Sequence, residues 1–223
     1  MPDTIMLFAA GRGTRMAPLT DHMPKPMVPV AGRPLVDHAL DLVKRAGIQR
    51  VFANTFYKPD ALEVHLSAQG VSPIRETILL ETGGGLKQAL TRLNRDVLLT
   101  LNTDAIWTGT NPITQLIKQW NPDQMDALLC LIPPDSALGH SGAGDFTLND
   151  NGKLTRGPGY VYSGLQIIKT ARLAEIQQVV FSLNLLWDMV IAQDRLFGMV
   201  HDGQWCDVGR PDSIAIAEDM LRV

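Results

Sequence analysis

The chain has 223 residues, 45% hydrophobic and 19% charged, a composition typical of a globular protein with a sizeable core. Twenty Lys and Arg against 23 Asp and Glu give a net charge of −3, so no overall positive field favours nucleic acid. No apolar run approaches the roughly 20 residues needed to span a bilayer. We therefore expect no nucleic-acid partner and no membrane segment.

Cysteine and histidine usage excludes further classes. Cys130 and Cys206 are too few for a disulfide framework or a cysteine-based zinc site. The five histidines lack the spacing of a zinc-binding motif. The first residues also lack a basic segment followed by an apolar signal segment, so we expect a protein of the reducing cytoplasm.

The first part of the chain alternates apolar strand-like segments with amphipathic helical ones. This pattern predicts an α/β sheet with helices on both faces. In chain order we predict strand 4–9, helix 34–46, strand 50–54, helix 59–68, a strand within 73–80, helix 84–93, strand 97–101, helix 112–120 and strand 126–132.

The pattern changes after residue 132. A turn at 149–152 between two short apolar runs predicts a hairpin over 146–155. A strand at 161–168 and a helix at 183–193 follow. We then predict a second hairpin, 196–201 with 204–208, and a closing helix at 211–221.

The most informative segment follows the first strand. Gly11 and Gly13 expose backbone N–H groups without side-chain shielding, while Arg12 and Arg15 add positive charge. Ten residues past Arg15, Lys25 stands between two prolines. A fixed cation beside a glycine-rich loop at the end of a strand is suited to binding a polyphosphate.

Residues 7–36 resemble the sugar-1-phosphate nucleotidyltransferases. The chain matches their motifs A-A-G-x-G-T-R-M, P-L-T, P-K-P and P-V-x-G-x-P-L in order. Met16 stands where a dinucleotide-binding motif would have its third glycine, and the chain has no G-x-x-x-x-G-K-[ST] motif. The resemblance implies an enzyme that converts a nucleoside triphosphate and a sugar 1-phosphate into a nucleotide sugar and pyrophosphate.

The resemblance also implies a fold of the nucleotide-diphospho-sugar transferase type. That fold is a Rossmann-like, mixed and mostly parallel sheet flanked by helices, with a smaller hairpin-rich acceptor part. We therefore predict a single domain over residues 1–223, with a nucleotide-binding half at 1–132 and a sugar-phosphate-binding half at 133–223.

The family's phosphate contacts transfer onto the Gly11–Arg15 loop and Lys25. By resemblance, the backbone of Gly11, Gly13 and Thr14 cradles the triphosphate, and Arg15 holds the two phosphates that leave. Lys25 would lie at the transferred α-phosphate. Each cation would matter most as charge builds up in the transition state.

Two carboxylates match the family's magnesium ligands. Asp104 follows the apolar strand 97–101, and Asp207 belongs to a W-x-D-V-G motif. The alternatives are an aspartate that caps a turn and an N-cap of the last helix. Two carboxylates with phosphate oxygens and water suit Mg²⁺. One departure is Thr103, which replaces the glycine of the family's N-G-D motif.

Nucleobase contacts follow from the resemblance alone. The segment Glu81-Thr82-Gly83-Gly84-Gly85 precedes a predicted helix. In the family this segment lies against the base, so bare backbone at Gly83 and Gly84 would let a flat ring approach. The Ala10 backbone would contact the other edge of the base, and Glu76 would approach it.

The acceptor side is matched by two short segments. Gly144 and Asp145, then Ser163 and Gly164, align with segments that line the family's sugar pocket. Many relatives carry an E-K-P motif between these segments, but this chain has Gly157-Pro158-Gly159 there. Arg156 is the nearby cation that would replace the missing lysine.

Chain length, the absent E-K-P motif and the residues around Glu76 narrow the resemblance to the N-acetylmuramate 1-phosphate uridylyltransferases of cell-wall recycling. The resemblance then implies UTP as the nucleotide donor. Mannose-1-phosphate guanylyltransferases are the alternative within the family.

Two alternative functions come from other classes of protein. A silent nucleotide-sugar sensor would lack a cation or a carboxylate of the set, and a nicotinamide oxidoreductase would need an acidic residue where the second strand ends at Asn54.

Overall fold

The structure is a computed structural model that describes residues 1–222. Its strands in that range are β1 (Thr4–Phe8), β2 (Pro29–Val30), β3 (Arg33–Pro34), β4 (Arg50–Thr55), β5 (Ser72–Arg75), β6 (Val97–Asn102), β7 (Ala105–Trp107), β8 (Ala127–Ile132), β9 (Ala137–Leu138), β10 (Phe146–Leu148), β11 (Leu154–Arg156), β12 (Val161–Lys169), β13 (Leu196–Val200) and β14 (Trp205–Asp207). Its α-helices are α1 (Leu35–Arg45), α2 (Pro59–Ala68), α3 (Glu81–Leu93), α4 (Pro112–Gln119), α5 (Asn184–Ile191) and α6 (Asp212–Leu221).

Seven strands form one central sheet in the order β13-β8-β12-β6-β1-β4-β5. The pairs β1–β4, β1–β6, β4–β5 and β13–β8 are parallel, whereas β12 is antiparallel to both of its neighbours. The sheet is therefore mixed and mostly parallel. This arrangement confirms the predicted fold class, and strands from both predicted halves share the sheet.

Side-chain alternation in β1 explains why helices cover both faces of the sheet. Ile5 and Leu7 pack in one core cluster, which includes apolar residues of α1, α2 and α4. Met6 points to the opposite cluster, which includes residues of α3 and α5. Since successive strand residues face opposite sides, an almost continuous apolar strand predicts this double burial.

A second sheet of three strands brings distant parts of the chain together. In it β14 pairs antiparallel with β7 and parallel with β9. Its apolar residues pack on α6 around Met16, Val28 and Val208. This sheet joins the segment after β6 to the segment near residue 207.

The structure corrects the second predicted hairpin. The segments 196–201 and 204–208 are not paired with each other: β13 lies beside β8 at the edge of the central sheet, whereas β14 joins the second sheet. The turn at Asp202 and Gly203 resembles a hairpin turn locally, but pairing with distant strands overrides it. The hairpin of β10 and β11 is confirmed.

Within residues 1–222 no helix has the length and apolar character needed to cross a bilayer.

Candidate active site

The Gly11–Arg15 loop follows β1 and packs directly against Lys25. Gly13 has φ of +64°, and a Cβ atom added there would lie 2.8 Å from the Lys25 Cβ. The Thr20 hydroxyl donates to the Gly13 carbonyl oxygen at 2.9 Å. Glycine is therefore required at this position for two reasons, its backbone angle and the close approach of Lys25.

Lys25 forms an ion pair with Asp104. The Nζ to Oδ2 distance is 2.7 Å, and the side chains are 11% and 31% exposed. The neighbouring Thr103 is buried, and its hydroxyl donates to the Phe8 carbonyl oxygen at 2.9 Å. Thr103 thus ties the turn after β6 to the end of β1, which gives a physical role to the residue that replaces the family glycine.

The second sheet places Asp207 next to Asp104. Asp207 pairs with Ala105 across β14 and β7, and the Val208 N–H donates to the Asp104 carbonyl oxygen at 2.9 Å. A Cβ atom at Gly209 would lie 2.8 Å from Asp207 Oδ2 and 3.2 Å from Arg15 Nη2. Arg15, Lys25, Asp104 and Asp207, the four predicted catalytic and metal-binding residues, therefore converge.

Asp207 is affected by burial and by charges of both signs. Burial raises the pKa of the Asp207 carboxyl, and the negative charge of Asp104 raises it further. The positive charges of Lys25, Arg15 and His140 act on the same pKa in the opposite direction. Two carboxylates held side by side repel each other, so a cation between them would stabilise both.

The residues present fit a magnesium ion that is only partly coordinated by protein. In residues 1–222 no group of three His, Cys, Asp or Glu side chains is arranged to hold a metal. Mg²⁺ is usually held by one or two carboxylates, with phosphate oxygens and water completing its shell. Asp104 and Asp207 match that pattern, and a divalent cation held between them would offset both the burial and the mutual repulsion that raise the pKa of Asp207.

A cavity of about 400 Å³ opens beside this group. It contains four of the predicted residues: Ala10, Gly11, Glu76 and Asp104. The other lining residues are Phe8, Asn54, Leu79, Glu81, Thr82, Asn102 and Ser182.

Glu76 is fixed at the cavity by two hydrogen bonds. Asn54 Nδ2 donates to its Oε1 at 2.7 Å, and the Leu80 N–H donates to its Oε2 at 3.1 Å. Burial raises the pKa of the Glu76 carboxyl, although both hydrogen bonds favour the ionised form. The side chain therefore presents an oriented acceptor at the cavity wall.

Gly83 and Gly84 lie against another segment of the protein, and their contact with a nucleobase stays a prediction. Both lie inside α3, and both N–H groups donate to the Phe181 carbonyl oxygen. A Cβ atom at Gly83 would overlap the Phe181 ring, and one at Gly84 would overlap the Val179 carbonyl oxygen. These glycines admit a segment of the protein itself, whereas Glu81 and Thr82 line the cavity.

The predicted acceptor residues are engaged with the protein. Ser163 is buried and its hydroxyl donates to the Cys130 carbonyl oxygen at 2.7 Å. Asp145 Oδ2 accepts the Tyr162 N–H at 2.8 Å. Gly144 packs against the backbone of Gly159, and Gly164 against the side chain of Asn102. Their contact with a sugar stays a prediction.

Arg156 also has partners within the protein. Its Nε and Nη2 atoms donate to Asp188 Oδ1 at 3.0 and 2.8 Å. The guanidinium lies 4.9 Å from the ring centre of Phe146 and 5.4 Å from that of Trp187. This cation holds β11 to α5, so its proposed substitution for the missing lysine stays a prediction.

The cysteines are packed residues. Cys206 is buried, and burial raises the pKa of its thiol to about 11. Burial likewise raises the pKa of Cys130 to about 12. A thiol with such a pKa is not a nucleophile at neutral pH, so both cysteines act as small packed residues.

Sequence reasoning missed Asn54, Phe8 and Asn102 as cavity residues. All three stand at or near the carboxyl ends of adjacent strands, β4, β1 and β6. Ligands of open α/β sheets bind at this edge, so the available signal was the strand end itself. Leu79 was missed as well. Ser182 comes from a distant segment that packs on α3, and no local pattern identifies it.

Together, a glycine loop that meets a lysine and two carboxylates at the carboxyl edge of a mostly parallel sheet defines a nucleotidyltransferase. A family model, the MobA-like NTP transferase domain, matches residues 5–140. The N-acetylmuramate alpha-1-phosphate uridylyltransferase of Caulobacter vibrioides is 34% identical, over 99% of this chain and 97% of that protein. The enzyme of the same name from Neisseria meningitidis is 34% identical over 92% of each chain.

The chain therefore belongs to the family of sugar-1-phosphate nucleotidyltransferases with a MobA-like NTP transferase domain, which confirms the resemblance found in its sequence. The fold agrees with solved structures. HddC from Yersinia pseudotuberculosis, crystallised with GMP-PN, superposes with a TM-score of 0.80 over 98% of this chain and 99% of its own, at 20% identity.

Proposed function

We propose that the chain transfers a uridylyl group from UTP to N-acetylmuramate 1-phosphate in the presence of Mg²⁺, releasing pyrophosphate. The observation that carries this proposal is the convergence of Arg15, Lys25, Asp104 and Asp207 beside the 400 Å³ cavity. The choice of base and sugar rests on full-length similarity to two relatives of that name. A role in recycling cell-wall sugars in the cytoplasm rests on the same resemblance.

The chemistry needs positioned charge more than a proton acceptor. An ionised oxygen of the sugar phosphate attacks the α-phosphorus of the nucleotide. The new P–O bond forms as the bond to the β-phosphate oxygen breaks, and the electron pair leaves with pyrophosphate. Because the attacking oxygen is already ionised at neutral pH, no general base is required.

The cations and the loop have separate tasks in this reaction. Lys25 is positioned by Asp104 and would stabilise charge on the transferred α-phosphate. Arg15 would bind the departing pyrophosphate, and the open backbone at Gly11 would donate to phosphate oxygens. Asp104 and Asp207 would hold Mg²⁺, which neutralises triphosphate charge and stabilises the attacking and leaving oxygens.

One observation keeps mannose-1-phosphate guanylyl transfer as a second candidate. The carboxylate of Glu76 lines the cavity. Guanine presents two adjacent N–H groups to an acceptor, whereas uracil presents one. A carboxylate is suited to both.

Pyrophosphate release distinguishes these candidates. The full chain would be assayed with Mg²⁺ against UTP, GTP, dTTP and CTP, each crossed with the 1-phosphates of N-acetylmuramate, N-acetylglucosamine, glucose and mannose. We expect release with UTP and N-acetylmuramate 1-phosphate, loss on addition of EDTA, and recovery with excess Mg²⁺. Release with GTP and mannose 1-phosphate supports the second candidate. Nucleotide binding without release from any pair contradicts both and favours a sensor.

A further inference from the structure

A buried hydrogen-bond chain connects the triphosphate side of the cavity to its base side. The Ala9 N–H donates to Asn54 Oδ1 at 2.8 Å. Asn54 Nδ2 in turn donates to Glu76 Oε1 at 2.7 Å, and the Leu80 N–H donates to Glu76 Oε2. Asn54 therefore joins the backbone just before the Gly11–Arg15 loop to the carboxylate at the cavity wall.

The orientation of the Asn54 amide is determined by its partners. An N–H donor on one side requires the oxygen there, and a carboxylate on the other side requires the NH₂ group. A Cβ atom at Gly85 would lie 2.6 Å from Glu76 Oε1 and 2.8 Å from Asn54 Nδ2. Helix α3 therefore packs directly against Asn54 and Glu76 at Gly85, where a side chain would collide with both.

Glu76 keeps acceptor capacity despite these two bonds. An ionised carboxylate has about four lone-pair sites, and two are used here. Burial raises the pKa of Glu76, and the donors from Asn54 and Leu80 act in the opposite direction, towards its ionised, acceptor-only form. A nucleobase that presents an N–H group on its pairing edge would satisfy the remaining sites, whereas one that presents a lone pair would be repelled.

We propose that Asn54 is a positioning residue that holds Glu76 as the acceptor for a nucleobase imino N–H, and so selects uracil, thymine or guanine over cytosine and adenine. This inference rests on the proposed function only in that the cavity must receive the base. It assigns base selection to a buried pair, and couples that pair to the loop beside the triphosphate.

The test is equilibrium binding of UTP, CTP, GTP and ATP to the full chain with Mg²⁺ and no acceptor, measured by calorimetry. Without an acceptor no transfer occurs, so the result does not depend on the sugar. We expect the wild-type chain to prefer UTP over CTP by about ten- to hundredfold, the range for one hydrogen bond to a charged group. A wild-type preference for CTP or ATP overturns the inference.

Asn54→Asp isolates the contact with Glu76. The new side chain still accepts the Ala9 N–H, but its second oxygen faces Glu76 Oε1, and two carboxylates at that distance cannot both stay ionised. We expect the UTP to CTP preference to fall to within about threefold. The control is Asn94→Asp, the same change at an exposed position after α3, which should keep the wild-type ratio.

The ratio of UTP affinity to CTP affinity separates a positioning role from a merely structural one. Loss of a structural role would weaken the binding of UTP and CTP equally. If Asn54→Asp does not fold, Asn54→Ala is measured instead, because it also removes the donor to Glu76. Glu76→Gln tests the acceptor itself, because its amide can also donate to the cytosine ring. An unchanged ratio in the variant that folds overturns the inference. Normal base selection with no transfer to any sugar would instead contradict the proposed function and leave this inference standing.

Discussion

The regions that we propose as the phosphate side and the acceptor side of the molecule are built differently. On the phosphate side, charged groups from four segments meet one another: Lys25 pairs with Asp104, and Asp207 lies near both and near Arg15. On the acceptor side, polar groups are bonded to the protein itself, as with Ser163 and the Cys130 carbonyl oxygen. The first side is an array of charge that a triphosphate and a cation would complete, whereas the second is already satisfied.

This difference indicates where substitutions act. Changes on the phosphate side should alter turnover more than stability, because we propose that the charged groups there act on the bound substrates and the metal ion. Changes on the acceptor side should alter stability more than turnover. The expected effects decrease from the carboxylates to Lys25 and then to Ser163.

The carboxylates carry the largest expected effect. Asp104→Asn or Asp207→Asn should lower kcat by about a thousandfold or more, because magnesium would lose one of its two protein ligands. Pyrophosphate release measures this effect, and Asp150→Asn in the exposed turn after β10 serves as the control. Near-normal turnover in both variants would contradict a two-carboxylate magnesium site.

Asp207→Asn should lower turnover but raise the stability of the metal-free protein. The pKa of Asp207 is raised in the folded state, so its protonated form favours folding, and stability is lost as pH rises through that raised pKa. Asp207→Asn removes the charge that burial disfavours and that Asp104 repels. In EDTA, the free energy of unfolding of Asp207→Asn relative to wild type should therefore increase from about pH 4 upward. A difference that is flat with pH would show that the pKa of Asp207 is not raised in the folded state.

Lys25 carries the next effect. Lys25→Met keeps the stem that packs on Gly13 and removes the charge, so kcat should fall by about a hundred- to a thousandfold with a smaller change in the KM for nucleotide. The control is Lys44→Met, an exposed lysine of α1 that donates to Gln69. A rise in KM with kcat unchanged would make Lys25 a binding residue only.

The comparison also explains what the sequence could predict. The fold class and the converging phosphate side were predictable, because apolar strands, the Gly11–Arg15 loop and the carboxylates each leave a local pattern. The second hairpin was wrong because the partners of β13 and β14 are β8, β7 and β9, which are distant in the chain.

The glycines of α3 show the same limit on a smaller scale. The sequence indicated that a group packs closely against Gly83 and Gly84. In the structure Val179 and Phe181, about a hundred residues away in the chain, lie there. A motif records that a position must be small, and only the tertiary structure shows what approaches it. The strand end marked Asn54 as a cavity residue, but its partners Ala9 and Glu76 come from other strand ends and only the tertiary structure shows them.

Ser163 carries the smallest expected effect, and it tests directly whether the acceptor side differs from the phosphate side. Ser163→Ala removes the donor to the Cys130 carbonyl oxygen and the acceptor for the Leu165 N–H, both buried. The free energy of unfolding should fall by about 1–3 kcal/mol, as expected when a buried polar partner is lost. The KM for the sugar 1-phosphate should stay within about twofold, since the hydroxyl is committed to the protein.

Denaturant unfolding and acceptor KM are measured on the same preparation, with Ser141→Ala as the control in an exposed loop. A rise of tenfold or more in acceptor KM with unchanged stability would reverse the conclusion. It would mean that the hydroxyl leaves Cys130 when sugar binds, and that the acceptor side, like the phosphate side, is completed by its ligand.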